Sequence, residues 1–275
     1  MNILSKIFEL TCNNRYFELE VAKAIKAKLI KIPTYLSVGE EHIPASIAVA
    51  KKDWLIFPQH RGHSYYLSFS GPPDMLAKEL LGRKDGCNKG MGGSASISCK
   101  EINLYGHSGL LSDQVPIAVG AANASNKPTL VIAGDAAWEE DYALASLGYA
   151  ITKKSPVLFI CEDNNLSILT EKKTRRSWEI TNVANGFGIP SYNIEDDPWE
   201  IYSTVLSCLN NLPSFININT CRHLWHSGNG CDGLPKYNRF EMFKKQVNRE
   251  DIEQKAKKDM EFLWYNLTSS EMINK

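Results

Sequence analysis

The chain has 275 residues, 43% of them apolar, with 31 basic and 31 acidic side chains. That length can bury a full core as one large α/β domain, and the zero net charge gives no footing to general nucleic-acid or membrane-surface binding. No apolar run approaches the roughly 20 residues of a membrane span, and Lys6, Glu9, Arg15 and Glu18 break the start too often for a signal peptide. Tyr16, Leu19, Ala22, Ala24, Ile25 and Leu29 recur at mostly helical spacing, predicting a helix over 14–31 that Pro33 ends; a second short helix falls at 41–50. Trp54–Phe57 reads as a buried strand. From 60 to 112 glycine and polar residues dominate around one helical island, Met75–Leu81, and so long an irregular stretch reads as a binding surface. Small residues mark Gln114–Ala124 as a closely packed helix. Strands are expected at Thr129–Ala133, Pro156–Cys161, near Ser191–Ile194 and at Phe215–Asn219, with helices over Glu139–Thr152, Ile180–Gly186 and Trp199–Leu209. The charged, amphipathic end, Tyr237–Asn266, reads as a helical tail on a single domain spanning 1–275. Seven scattered cysteines without a Cys-x-x-Cys pair read as buried thiols in a reducing compartment, the cytoplasm.

The densest chemical signal is Gly134-Asp135-Ala136, with Asn164 twenty-nine residues beyond Asp135. An apolar strand precedes it, and a helix and a second apolar strand separate its two polar ends, which describes one βαβ unit. Both ends then fall at the carboxyl edge of neighbouring parallel strands, where open α/β sheets bind ligands. An Asp carboxylate, an Asn amide and a nearby main-chain carbonyl are hard oxygen donors, suited to a magnesium ion that keeps its other positions for phosphate. Asp163-Asn164-Asn165 allows two readings of the amide ligand, and counting from Asp135 favours Asn164.

Five of the six histidines lie in three loops flanked by glycine or serine: His60 and His63, His107, and His223 with His226. Each loop adjoins a predicted strand or tight turn, so the imidazoles are placed to converge on one cleft; chance occurrence in surface loops is the plain alternative for any one. Zinc is a further use of paired imidazoles, disfavoured because neither His-x-x-His pair sits on a clear helix and no cysteine pair completes a set. Arg61 offers a planar fork of donors for a phosphate, and His63 is a candidate proton carrier. Five glycines within Leu81–Ser94 let the backbone approach a ligand or fold into tight turns. Gly106–Ser112 precedes the small-residue helix, so its amides are candidates to face an anion or a cofactor ring.

Taken in order, these segments resemble the alpha subunit of the first component of 2-oxo acid dehydrogenase complexes (pyruvate, branched-chain and acetoin dehydrogenases). Ser37-Val-Gly-Glu-Glu41 is similar to that family's Ser-x-Gly-Gln-Glu, and His60-Arg-Gly-His63 to its Tyr-Arg-x-His. Glu79–Ser94 resembles its Glu-Leu-x-Gly-x-x-x-Gly-x-x-x-Gly-x-Gly-Gly-Ser, and Gly109–Gly120 its Gly-Ile-Val-Gly-x-Gln-x-Pro-x-Ala-x-Gly. Gly134-Asp135 to Asn164 resembles the diphosphate–magnesium motif of thiamine diphosphate enzymes, and Arg222 to His226-Ser227 the late Arg-x-x-Gly-His-Ser. The similarity runs from about residue 12 to residue 232, and the shared order is more specific than any single motif.

The resemblance implies an α/β thiamine diphosphate-binding fold, mostly parallel, with helices on both faces. It implies magnesium held by Asp135, Asn164 and the Leu166 carbonyl, and diphosphate contacts from Arg61 and His226, with His60 in the place of the family tyrosine. Gly134 and Ala136 flank the metal-binding carboxylate, Gly109 and Leu111 line the aminopyrimidine, and Ile168 props the bent cofactor; core packing is the plain alternative for Leu111 and Ile168. His63, His107 and His226 are the implied proton-transfer or substrate-carboxylate residues. The glutamate that activates the cofactor comes, in this family, from a separate beta subunit, which implies a heterotetramer acting on a 2-oxo acid by oxidative decarboxylation. Departures from the pattern are Ala136 for glycine, Ala95-Ser96 for Met-His, and Trp225 for the glycine before His226. They keep open a split transketolase-like or sugar-modifying enzyme and, from another class, a degenerate non-catalytic binding subunit.

Overall fold

The computed structural model describes residues 1–231 and 233–272. Its helices run α1 (Ile3–Lys26), α2 (His42–Ala50), α3 (His63–Ser68), α4 (Pro73–Leu80), α5 (Gln114–Ser125), α6 (Asp141–Lys153), α7 (Lys172–Arg175), α8 (Ile180–Gly186), α9 (Pro198–Cys208), α10 (Arg239–Val247) and α11 (Glu250–Met272). The strands are β1 (Leu55–Phe57), β2 (Thr129–Gly134), β3 (Val157–Asp163), β4 (Leu166–Ser167), β5 (Thr170–Glu171), β6 (Ser191–Glu195) and β7 (Ser214–Asn219). Five of them form one parallel sheet in the order β1-β2-β3-β7-β6, and β4 and β5 form a separate antiparallel hairpin.

Alternate residues of each central strand enter different cores. Leu130, Ile132, Leu158, Ile160, Ile216 and Ile218 pack with α1, α2 and α9 on one face. Val131, Ala133, Phe159, Cys161 and Phe215 pack with α5, α6 and α8 on the other. Burial on both faces is why β2 and β3 read as continuous apolar runs rather than alternating ones. The register pairs Gly134 with Glu162, so the turn after β2 and the end of β3 lie side by side at the carboxyl edge.

Four expectations are corrected. α1 starts at Ile3, eleven residues before the predicted start, and ends at Lys26, well short of Pro33. Its first half is poor in helix formers, but Asn2 caps it by accepting from Ser5 N at 2.8 Å, and Asn14 Nδ2 donates to Glu41 O and Ser68 Oγ, both at 2.9 Å. Tertiary partners outweigh local propensity there. Inside the stretch expected to be irregular, α3 places His63 on a helix, and the tail is two helices divided at Asn248, which is left-handed with φ +51°. Four cysteines are buried, yet Cys231 is exposed. No helix among the described residues is long and apolar enough to cross a membrane.

Asp196 fastens the tail to the sheet. Its carboxylate accepts from Arg239 Nε at 2.7 Å, Tyr237 Oη at 2.9 Å and Thr220 Oγ1 at 3.0 Å, with His42 Nε2 at 3.4 Å. Burial pushes this acid up, but the facing His42, Arg239 and Tyr237 outweigh burial and hold it at about 2. A carboxyl depressed in the fold adds stability above its unfolded value and loses it as pH falls through the folded one, here about 2 kcal/mol. Asp196→Asn is therefore expected to lower thermal stability at neutral pH and to flatten the fall in melting temperature between about pH 4 and pH 2; an unchanged acid slope would remove Asp196 from that role.

Candidate active site

A cleft opens at the carboxyl edge of β1, β2 and β3. Five loops build it: Gln59–Arg61 after β1, residues 107–114 before α5, Gly134–Ala137 after β2, Asn164–Ile168 after β3, and Arg222 to His226 after β7. His60, Arg61, His107, Leu111, Gly134, Asp135, Ala136, Asn164, Leu166, Ile168 and His226 all line it. Residues more than 160 positions apart meet here because parallel strands deliver every such loop to the same edge.

The basic wall is an aromatic and imidazole cluster around Arg61. The His60 ring lies 4.8 Å from Tyr35, 5.5 Å from His226 and 6.2 Å from His107 by ring centroids. Arg61 is buried, donates to Leu36 O at 3.1 Å, and has Nη2 3.3 Å from His226 Nδ1. Burial, then the neighbouring Arg61, His226 and His107, hold His60 well below the usual histidine range. It is a neutral imidazole at neutral pH, and its Nε2 is buried without a hydrogen-bond partner. His107 is also lowered by burial; its Nδ1 accepts from Gly109 N at 2.9 Å, so the neutral ring carries its proton on Nε2.

The acidic wall is narrower. Asp135 is buried, and burial, with Asp163 behind it, pushes its carboxyl up to about 6 against the pull of Arg175 and Arg176. Arg175 Nη2 donates to Asp135 Oδ2. Asn164 Nδ2 donates to Glu40 Oε1 at 2.9 Å, which fixes the amide rotation, and its Oδ1 accepts from Leu166 N at 3.2 Å with a second lone pair to spare. Ala136 has φ −71°, a conformation any residue adopts, so alanine does not disturb the turn where the family pattern has glycine. Ile168 is left-handed at φ +53°, a strained state for a β-branched residue, and Arg222 Nη2 donates to its carbonyl at 2.5 Å. Asn165 stands outside the cleft with φ +66°.

Two predicted site residues are not brought to the cleft. His63 is fully buried with both nitrogens engaged, Nδ1 at 3.0 Å from Glu18 Oε2 and Nε2 at 2.8 Å from Ser94 Oγ. It ties α1 and the end of the glycine-rich loop to α3, and has no path to a bound ligand. Gly109 lies at the rim with φ +98° and does not line the cleft. His223 faces away, its Nε2 3.1 Å from Tyr237 O, and Trp225 also stands outside the lining. The glycine-rich loop uses its amides internally: Glu79 Oε2 accepts from Asn88 N at 2.7 Å and Gly90 N at 2.8 Å, and Oε1 from Gly92 N at 2.8 Å and Gly93 N at 3.1 Å.

Reading the residues by type missed Gln59, Gln114 and Arg222 as lining groups and Glu162 behind them. Gln114 and Arg222 sat inside motifs already singled out; Gln59 directly precedes His60. Glu162 accepts from Tyr65 Oη at 2.8 Å and from Gln59 Nε2. Burial, then Glu40, pushes it up to about 8 against the hydrogen bonds from Tyr65 and Gln59 and the charge of Arg61. The Gln114 Nε2 donates to Ile132 O at 2.8 Å, while its buried Oε1 has no hydrogen-bond partner.

The model of the dehydrogenase E1 component family matches residues 13–260. The chain belongs to that family. A mitochondrial pyruvate dehydrogenase E1 component subunit alpha of Solanum tuberosum is 28% identical over 227 residues, covering 78% of this chain and 57% of that protein. One of Dictyostelium discoideum is 34% identical over 155 residues, covering 54% and 40%, and one of Rickettsia bellii is 26% identical over 206 residues, covering 70% and 63%. The chain thus spans less than two thirds of the length of these relatives. Among solved structures, transketolase from Campylobacter jejuni superposes with a TM-score of 0.62 at 15% identity over 94% of this chain and 49% of that one. Transketolase from Leishmania mexicana gives 0.58 at 12% identity over 98% and 48%. Those likenesses establish a transketolase-like fold, the α/β architecture with a parallel sheet that the sequence pattern implied.

The residues present fit that family's cofactor. Arg61 and Arg222 with the unpartnered His60 Nε2 suit a diphosphate, and Asp135 with the Asn164 Oδ1 and the Leu166 carbonyl is a hard oxygen set for magnesium. Leu111 and Ile168, 42% and 54% exposed at the mouth, offer apolar surface for a ring.

Proposed function

We propose that this chain is the alpha half of a thiamine diphosphate and magnesium site that acts with a beta subunit on a 2-oxo acid by oxidative decarboxylation. The observation that carries this reading is the cleft itself: a diphosphate-binding wall and a magnesium-binding wall meet in it, yet Asp135 is the only carboxylic acid lining it among the described residues. Asp135 is committed to cations, so we read the acid on the aminopyrimidine as one supplied from outside the described residues, by the beta subunit of this reading. Exposed Leu110, Leu111 and Ile117, at 63%, 42% and 55%, border the mouth and continue onto the Gly120 and Ala124 face of α5, an apolar surface suited to a closely packed partner.

Within that reading the chain's groups divide the work. Arg61, Arg222, His60 and His226 would hold the diphosphate, and Asp135, Asn164 and the Leu166 carbonyl would hold the metal. Bound there, thiamine diphosphate supplies the electron sink for decarboxylation. His107, with its proton on Nε2, would donate to a substrate carboxylate or carbonyl oxygen. Calorimetric titration of the co-expressed alpha–beta complex with thiamine diphosphate and magnesium is expected to show binding that chelation of the metal abolishes. Turnover of 2-oxo acids with an artificial electron acceptor should follow; absence of cofactor binding would refute the assignment.

A further inference from the structure

The segment after the β4–β5 hairpin carries a cation arrangement that cofactor binding does not use. Lys172 Nζ lies 2.6 Å from Asp163 Oδ2 and 3.2 Å from Glu179 Oε2. Arg175 is bonded through Nη2 to Asp135, while its Nε is 3.3 Å from Glu139 Oε1. Arg176 Nη1 donates to the Asp135 main-chain carbonyl at 2.8 Å and lies 3.4 Å from the same Glu139 oxygen. Residues 172–176 therefore form a basic strap across the carboxyl ends of β2 and β3, held at its start by Lys172 N donating to Asn165 O at 3.0 Å.

We propose that Arg175 is a built-in counter-ion that competes with the divalent metal for Asp135, so that metal loading requires Arg175 to move onto Glu139. The proposal rests on the reading of Asp135 as a magnesium ligand. A guanidinium and a divalent cation on one buried carboxylate repel strongly where water screens little. Only 2% of the Asp135 side chain and 12% of the Arg175 side chain is exposed, so this pair is of that kind. Glu139, at 23%, is the more solvated acceptor and already touches Arg175, so a side-chain rotation transfers the cation without unfolding the strap. Metal affinity is then set by the difference between two Arg175 partners, and any effector that holds the strap toward Glu139 raises it.

Magnesium chloride titrated into the co-expressed alpha–beta complex at saturating thiamine diphosphate, read by calorimetry, tests this. Arg175→Gln is expected to bind magnesium about fivefold or more tighter, and Arg175→Lys, which keeps the charge without the fork, to fall between it and the unsubstituted chain. Glu139→Gln is expected to weaken binding a few-fold, and the double variant to match Arg175→Gln, since Glu139 matters only as the receiver. Unchanged or weaker binding in both Arg175 variants, with normal binding in the unsubstituted chain, overturns the competition alone. No magnesium binding in any variant overturns the Asp135 ligand reading, and the competition with it.

Discussion

Asp135→Ala is expected to abolish magnesium-dependent binding of thiamine diphosphate, weakening it by about 100-fold or more. Among the described residues the cleft offers no second carboxylate to take its place, and Asn164 and a main-chain carbonyl are neutral donors. The same change should leave the fold intact. The Asp135 acid is raised from 3.8 to about 6, so its contribution to stability runs opposite to that of Asp196: greatest below the unfolded value and lost as pH rises through about 6. By pH 8 this group has cost the fold about 3 kcal/mol of stability relative to low pH, and alanine removes that loss. Thermal unfolding without cofactor should show an unchanged or higher melting temperature, and calorimetry on the same sample should show no cofactor heat. Binding at the unsubstituted affinity would remove Asp135 from the metal site. Asp135→Asn keeps one hard oxygen and is expected to retain weak binding.

That the decisive pair was legible follows from the physics of a parallel sheet. β2 and β3 are buried on both faces, so they show as uninterrupted apolar runs, and whatever polar residues close them must lie at the carboxyl edge. Asp135 and Asn164 carry that signal in their spacing. His63 does not: the difference between a loop imidazole and a buried structural one depends on Glu18 and Ser94, which are 45 and 31 positions away. Arg175 was equally silent, since Lys172–Arg176 reads as an ordinary solvated charge run until the strand ends supply Asp163, Asp135 and Glu139. The departure at Ala136 looked significant as a letter and proved neutral as a backbone angle. Resemblance named the site; long-range pairing decided which of its residues face it.

Glu79 shows the same limit at larger energetic scale, and Glu79→Ala is expected to destabilise the fold by about 3–5 kcal/mol. Its glycine-rich surroundings suggested a loop awaiting a ligand, yet the carboxylate of Glu79 is itself the anion in that nest. Four backbone N–H groups, of Asn88, Gly90, Gly92 and Gly93, converge on its two oxygens. Glycine is required by that closeness: a Cβ on Gly86 would lie 2.6 Å from Glu79 N and 2.7 Å from its Oε2, and Gly90 is left-handed at φ +73°. Removing the carboxylate strands four donors in a part-buried loop whose Ser94 also bonds His63, so the damage would pass to the packing of α1 and α3. Glu79→Gln keeps one acceptor oxygen and turns the other into a donor facing two N–H groups, so it should recover little. A melting temperature about 6–15 °C lower for alanine, with glutamine close to it, is the expected result; a shift under about 2 °C would mean that solvent replaces the carboxylate without penalty.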